Sequence, residues 1–327
     1  MKRNSIIVLV FLCLLCCKYV QDKPVNTKLT GVVFGTTYNI IYGKEVDYTK
    51  HLDSLFAVIN QSMSTYLADS DISKVNNNEP VIVDAHFKKV FLKSKEIYNA
   101  TQGVFDPTIG DVVNAWSFGA DTNKFLTDST TIDSLMHYVG FDNVFLEKST
   151  IKKYPHTYLE FNAIAKGYAV DVISEFLQDE GVDDFLVEIG GEIRVKGKNR
   201  VKNMPWRVGL DEPRFDGGQS IFKAIDLHDE AMATSGTYRK FKIDDNGKRY
   251  AHIINTKTGY PTKTNILSVS VIAANCMTAD GYATAFQAMG VEGVTLFLKT
   301  KPHLKVFLIF ENDENVFETL ALNGFPE

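Results

Sequence analysis

The chain has 327 residues, enough for one large or two ordinary domains, and its 45% hydrophobic and 23% charged content is a globular balance that excludes disorder, collagen and repeat solenoids. Lys and Arg number 35 against 40 Asp and Glu, and the formal charge of -5 argues against a nucleic-acid binder with a basic surface. Cysteines stand at 13, 16, 17 and 276, so neither a disulfide framework nor a cysteine zinc site can be built in the body of the chain.

Met1-Lys2-Arg3 is a basic start, followed by an apolar run over 6–17. Twelve residues span about 18 Å as a helix, short of the ~30 Å hydrocarbon core, so the pattern is a signal peptide and not a membrane span. Its end, Leu14-Leu15-Cys16-Cys17, is that of a lipoprotein leader with Cys17 as the lipid-bearing first residue of the mature chain. An ordinary cleaved secretory signal is the alternative. Residues 1–17 are then leader, 18–29 a polar tether and 30–327 one two-lobed domain, exported and held on the periplasmic side of the cell membrane.

Alternation predicts a strand over 32–42, and amphipathic patterning predicts helices over 47–62 and 85–101 with a polar loop over 69–80 between them. A further helix is expected over 130–139. From Ile164 the apolar residues fall at 164, 168, 172 and 176 and at 165, 169, 173 and 177, which stacks them on one helical face ending near Gly181. Strands over 185–189 and 193–195 flank a turn at Gly190-Gly191. More strands are expected over 206–210, 222–227, 238–243, 249–254 and 266–273, with Asp244-Asp245-Asn246-Gly247 as a turn. A helix pair over 278–290 and 291–299 precedes strands over 306–310 and 316–320. Runs of adjacent strands with helices set apart give an α+β class, with mixed, largely antiparallel sheets and packed helices.

Several segments are dense in small and polar residues beyond the needs of a turn. Gly35-Thr36-Thr37-Tyr38 opens a strand, Phe105-Asp106-Pro107-Thr108-Ile109-Gly110 is followed by Trp116-Ser117-Phe118-Gly119, and Ala233-Thr234-Ser235-Gly236 offers hydroxyls at a strand end. Glu160-Phe161-Asn162-Ala163-Ile164-Ala165-Lys166-Gly167 puts an ammonium on the first turn of the 164–181 helix, where unpaired N–H groups suit an anion. Asp280 and Thr284 lie four apart on one helical face. Alone, Asp280 reads as an N-cap and Thr284 as a hydroxyl bonding one turn back. Together they are hard oxygen donors suited to Mg²⁺. His252 lies in the alternating Tyr250-Ala251-His252-Ile253-Ile254, where a structural histidine is the plain alternative to a base. The common nucleotide-loop and hydrolase signatures are absent.

Taken in order, these blocks, with Ser70-Asp71-Ile72-Ser73-Lys74-Val75-Asn76 and His252-Ile253-Ile254-Asn255 through Thr258-Gly259-Tyr260-Pro261, resemble the bacterial FAD:protein FMN transferases, the ApbE family of exported flavin lipoproteins. The resemblance runs from about residue 31 to 290 and implies the ApbE-like fold. It also implies an enzyme that binds FAD as substrate, uses Mg²⁺, and moves FMN onto a threonine or serine of a partner protein as a phosphoester, releasing AMP. It places FAD contacts at Phe34, Tyr66, Ser117, Phe118, Gly119, Glu160, Lys166 and Ile254, and the metal at Ala163, Asp280 and Thr284. His252 is the candidate base, and a membrane redox subunit the implied acceptor. Phe34 stands where the family commonly has Met, Glu160 where it has Asp, Ser117 where it has Gly and Asn255 where it has Asp; these changes imply retuned FAD geometry. Ala163 has only its carbonyl to offer a cation. Two other activities fit the same residues: an FAD pyrophosphatase with water as acceptor, giving FMN and AMP, and a non-catalytic FAD-binding lipoprotein.

Overall fold

The computed structural model describes residues 25–120, 128–238, 241–243, 249–312, 314 and 316–326. The leader, Cys17, most of the tether and the turn at 244–247 lie outside them. In chain order the elements are β1 (Thr27–Val33), β2 (Thr36–Tyr42), α1 (Thr49–Met63), α2 (Asp71–Asn76), α3 (Ala85–Ala100), α4 (Gly110–Ala115), α5 (Ser129–Met136), β3 (Phe145–Glu147), β4 (Thr150–Lys152) and α6 (Ala165–Asp179). There follow β5 (Phe185–Ile189), β6 (Glu192–Lys196), β7 (Trp206–Asp211), β8 (Ile221–Leu227), β9 (Ala231–Gly236), β10 (Phe241–Ile243), β11 (Arg249–Ala251), β12 (Ile266–Ala273), α7 (Cys276–Leu298), β13 (Lys305–Glu311) and β14 (Phe317–Leu322).

Eight strands form one antiparallel sheet in the order β1-β2-β5-β6-β9-β12-β13-β14. Strand parity decides which face each side chain joins. Ile40, Tyr42, Val187, Ala231, Val269 and Val271 pack under α6 and α7, whereas Leu186, Ile193, Val195, Met232 and Ile272 turn to the opposite face and pack with Trp206 and Leu227 of the β7–β8 hairpin. β12 is buried along its whole length because both its faces are covered. A register shift between Ile266 and Ser268 lets Ile266 join the helix-side core despite its even number. A third cluster joins α4 and α5 to Ile254, and the Trp116 indole donates to the Gly259 carbonyl at 2.8 Å to bind that loop down.

Three sequence expectations are corrected in detail. The strand over 32–42 is two strands of a hairpin, turning at Phe34 and Gly35, both left-handed at φ 51° and 72°. Such a turn normally carries Asn-Gly, so Phe at its first position hides it from the sequence. The polar loop over 69–80 contains α2, because the Ser70 hydroxyl caps it by accepting from Ser73 N at 3.1 Å. The helix pair expected from 278 begins at Cys276, capped by Asn275, and breaks at Gly290, whose backbone leaves helical geometry.

Helices α6 and α7 meet at their N-terminal ends. The Asp171 carboxylate of α6 accepts from Cys276 N at 2.9 Å and Met277 N at 2.8 Å, satisfying the first turn of α7. In return the Asp280 carboxylate of α7 accepts from Gly167 N at 2.9 Å, in the first turn of α6. Each helix thus caps the other with a carboxylate from within its own first two turns. The approach requires glycine at 167, where a Cβ would lie 2.5 Å from the Cys276 carbonyl oxygen and 2.7 Å from Asp280 Cβ.

Candidate active site

A cavity of about 870 Å³ opens between the helix-side core and the α4–α5 cluster, within the size range of small-molecule sites. Of the residues expected to contact FAD, it is lined by Phe34, Tyr66, Phe118, Glu160, Lys166 and Ile254. Ala163, Asp280, Thr284 and His252 line it as well. Ser117 and Gly119 do not. They turn the chain after α4: Ser117 is left-handed at φ 55° and donates its N–H to the Asn114 carbonyl at 2.7 Å, and a Cβ on Gly119 would strike the Asn114 side chain at 2.0 Å. Their effect on the cavity is to hold the buried Phe118 ring in its wall, 6.3 Å from the His252 ring between centroids.

Phe34 reaches the cavity through its left-handed turn, with its ring packed edge-on against Phe56 at 5.7 Å. A bulky residue held in that conformation costs about 1 kcal/mol or more, and such strain clusters at functional sites. Glu160 is fixed by its N–H donating to the Pro107 carbonyl at 2.9 Å, and its carboxylate accepts from Asn162 at 2.9 Å. The two halves of the Phe105–Gly110 and Glu160–Gly167 blocks therefore meet.

The charged end of the cavity holds three groups. Lys166, on the first turn of α6, donates to Glu192 Oε1 at 2.5 Å, and Asp280 lies beside them. Glu192 opens β6 after the Gly190-Gly191 turn and faces the helices by strand parity. Its side chain is 4% exposed, against 33% for Lys166. Burial pushes the Glu192 carboxyl up to about 7, with Lys166 pulling down and Asp280 adding to the rise. Asp280 is likewise raised by burial, against the pull of Lys166 and the Gly167 N–H. For Lys166, burial works to lower the pKa, and the two carboxylates more than reverse it, keeping the ammonium charged. Thr284 sits one turn beyond Asp280 and is partly exposed to the cavity.

Among the described residues, no three His, Cys, Asp or Glu side chains converge as a metal cage. Of the residues expected at a metal, Asp280, with its carboxylate, Thr284, with its hydroxyl, and Ala163, with only its carbonyl to offer, all line the cavity. One ammonium stands between two buried carboxyls, and Glu192 Oε2 has no hydrogen-bond partner. Oxygen-only donors in an under-neutralised acidic setting fit a hard divalent cation that keeps some of its water or takes substrate phosphate as ligand. Glu192 escaped the sequence reading, since the only local signal near it is the glycine turn. Asp106, from the block that opens at Phe105, is a buried carboxyl lining the same cavity.

An α+β fold with a small-molecule cavity that is charged at one end is the build of an enzyme, and comparison with known proteins gives the family. The chain belongs to the ApbE family, whose model matches residues 34–308. It is 35% identical to the FAD:protein FMN transferase of Haemophilus influenzae, across 94% of this chain and 92% of that protein, and 34% identical to that of Vibrio cholerae, across 99% and 98%. The solved Vibrio cholerae flavin transferase ApbE superposes with a TM-score of 0.83 over 91% of this chain and 97% of its own, at 34% identity. The apo Pseudomonas stutzeri flavinyl transferase ApbE gives 0.81 over 91% and 95%, at 25% identity.

Proposed function

We propose that this ApbE-family transferase takes FAD as substrate and passes its FMN half to a threonine or serine hydroxyl of an acceptor protein, with AMP leaving. The observation that carries the reading is the gathering of Lys166, Asp280 and Thr284 on one cavity that also presents Phe34, Tyr66, Phe118 and Ile254. The acceptor oxygen forms a bond to the FMN phosphorus, the bridging P–O bond to AMP breaks, and the hydroxyl proton passes to a base. The difficulty of the step is negative charge on the phosphate oxygens. The Lys166 ammonium, held on the cavity wall by Glu192, offsets that charge. Asp280, Thr284 and the Ala163 carbonyl would hold Mg²⁺, which when bound supplies further positive charge at the diphosphate. His252 is the candidate base on position, and Phe34, Tyr66, Phe118 and Ile254 supply faces for the rings of the dinucleotide.

The test is incubation with FAD, Mg²⁺ and an acceptor carrying a threonine motif. Covalent flavin fluorescence on the acceptor supports transfer. Free FMN with AMP and no labelled acceptor assigns hydrolysis instead, and unchanged FAD overturns both. Asp280→Ala is expected to retain FAD binding and lose turnover, and wild-type activity would refute the metal assignment. Export and anchoring through Cys17 are part of the same proposal, with a membrane redox subunit as acceptor. Mass spectrometry of the mature N-terminus checks it: a terminus without lipid removes the anchor, and a lipid-modified Cys16 moves it by one residue.

A further inference from the structure

We infer that Glu192 is a positioning residue for the transfer step: its buried carboxylate holds the Lys166 ammonium beside Asp280, aimed at the diphosphate of the bound nucleotide. The inference rests on the reading of the cavity given above. Lys166 carries its charge on a flexible four-carbon stem, which left alone would spread the ammonium over many rotamers. Glu192 has no such freedom. Its backbone pairs with Ile189 directly after a tight turn, its side chain is 4% exposed, and Oε1 meets Nζ at 2.5 Å.

A second acid–base pair, with a buried acid and a partly buried base, makes the contrast. Asp171 with Arg194, at 2.8 Å, is fully used: Oδ1 also accepts from Cys276 N, Oδ2 accepts from Met277 N, and Asp171 is not among the residues that line the cavity described above. Glu192 is half used. Its Oε2 is buried without a partner, which costs stability that an apolar side chain at the same place would not lose. The costly arrangement sits on the cavity wall, against the one ammonium placed for the diphosphate.

The experiment compares wild type, Glu192→Gln, Glu192→Ala, Lys166→Met and the Glu192→Ala/Lys166→Met double variant. The readouts are FAD affinity by flavin fluorescence, single-turnover transfer, AMP release, and the thermal midpoint of each protein. Glu192→Ala is expected to slow transfer by roughly tenfold to a hundredfold, the range typical of groups that orient a reacting partner. FAD affinity should weaken by no more than about threefold, so that the loss falls on turnover. Glu192→Gln, whose amide oxygen still accepts from Lys166, should lose less and guards against a folding defect in the alanine variant. The double variant should be no slower than Lys166→Met, because Glu192 acts through Lys166. Multiplying losses in the double variant, or wild-type transfer by folded Glu192→Ala, overturn the inference. If wild type itself neither binds nor cleaves FAD, the reading of the cavity fails and the inference falls with it.

Discussion

Asp106 offers a sharp test of the electrostatics of the cavity wall. It is 8% exposed, and its Oδ1 accepts from the Thr108 N–H at 2.8 Å and the Thr108 hydroxyl at 2.6 Å. Burial nonetheless wins over those bonds, over an N–H from Phe141 and over the charge of Lys95, raising the carboxyl from its ordinary 3.8 to about 6. A rise of roughly two units corresponds to about 3 kcal/mol. Because the folded value is the higher one, the native state favours the protonated acid. The stability it contributes is complete below 3.8 and lost as pH rises through about 6. Asp106→Asn keeps the Oδ1 acceptor and removes the titration. The difference in unfolding free energy, variant minus wild type, should therefore grow with pH, by about 1.4 kcal/mol between roughly pH 5 and pH 7.5. Urea denaturation followed by far-UV circular dichroism at several pH values reads it. Any fixed cost of the amide cancels between pH values. A difference that stays level across that window, or shrinks as pH rises, would refute the reasoning.

Gly167→Ala should destabilise by about 1 to 3 kcal/mol, since its methyl meets backbone of the facing helix, and urea denaturation should show the midpoint fall. Asp171→Ala strips two N–H groups of α7 and leaves Arg194 buried without its partner, an expected loss of about 3 kcal/mol or more in the same assay. Trp116→Phe removes the bond to the Gly259 carbonyl and part of a buried ring that also meets Tyr260. It should cost about 1 to 3 kcal/mol and weaken FAD binding, as the 252–261 loop loosens over the cavity; unchanged affinity would detach that loop from the site.

The fold was legible wherever the apolar residues follow a regular pattern. The run from Ile164 to Leu177 is helical because its apolar residues repeat at four, and β12 is visible because eight consecutive residues suit a covered strand. β9 was read only as a strand end. Ala231-Met232-Ala233-Thr234-Ser235-Gly236 has weak strand preference, yet it lies in the middle of the sheet, where small side chains let α7 pack close. In the site, Lys166, Asp280 and Thr284 carried their own signals: a helix start, and a four-residue spacing. Glu192 carried none, because its meaning comes from a residue 26 positions away. Ser117 and Gly119 show the reverse case, residues in a family block whose service is to bend the chain that presents a neighbour.

The exchange of carboxylates between α6 and α7 makes a single cooperative unit out of two stretches of chain more than a hundred residues apart. Fraying of either start withdraws the hydrogen-bond acceptor that protects the other, so their amides should exchange with solvent together, at one opening free energy. Asp280 belongs to that unit and to the charged end of the cavity at once. The floor beneath the diphosphate is thus no more mobile than the helix pair itself, and the geometry on which transfer depends is inherited from folding, with no need for substrate to assemble it.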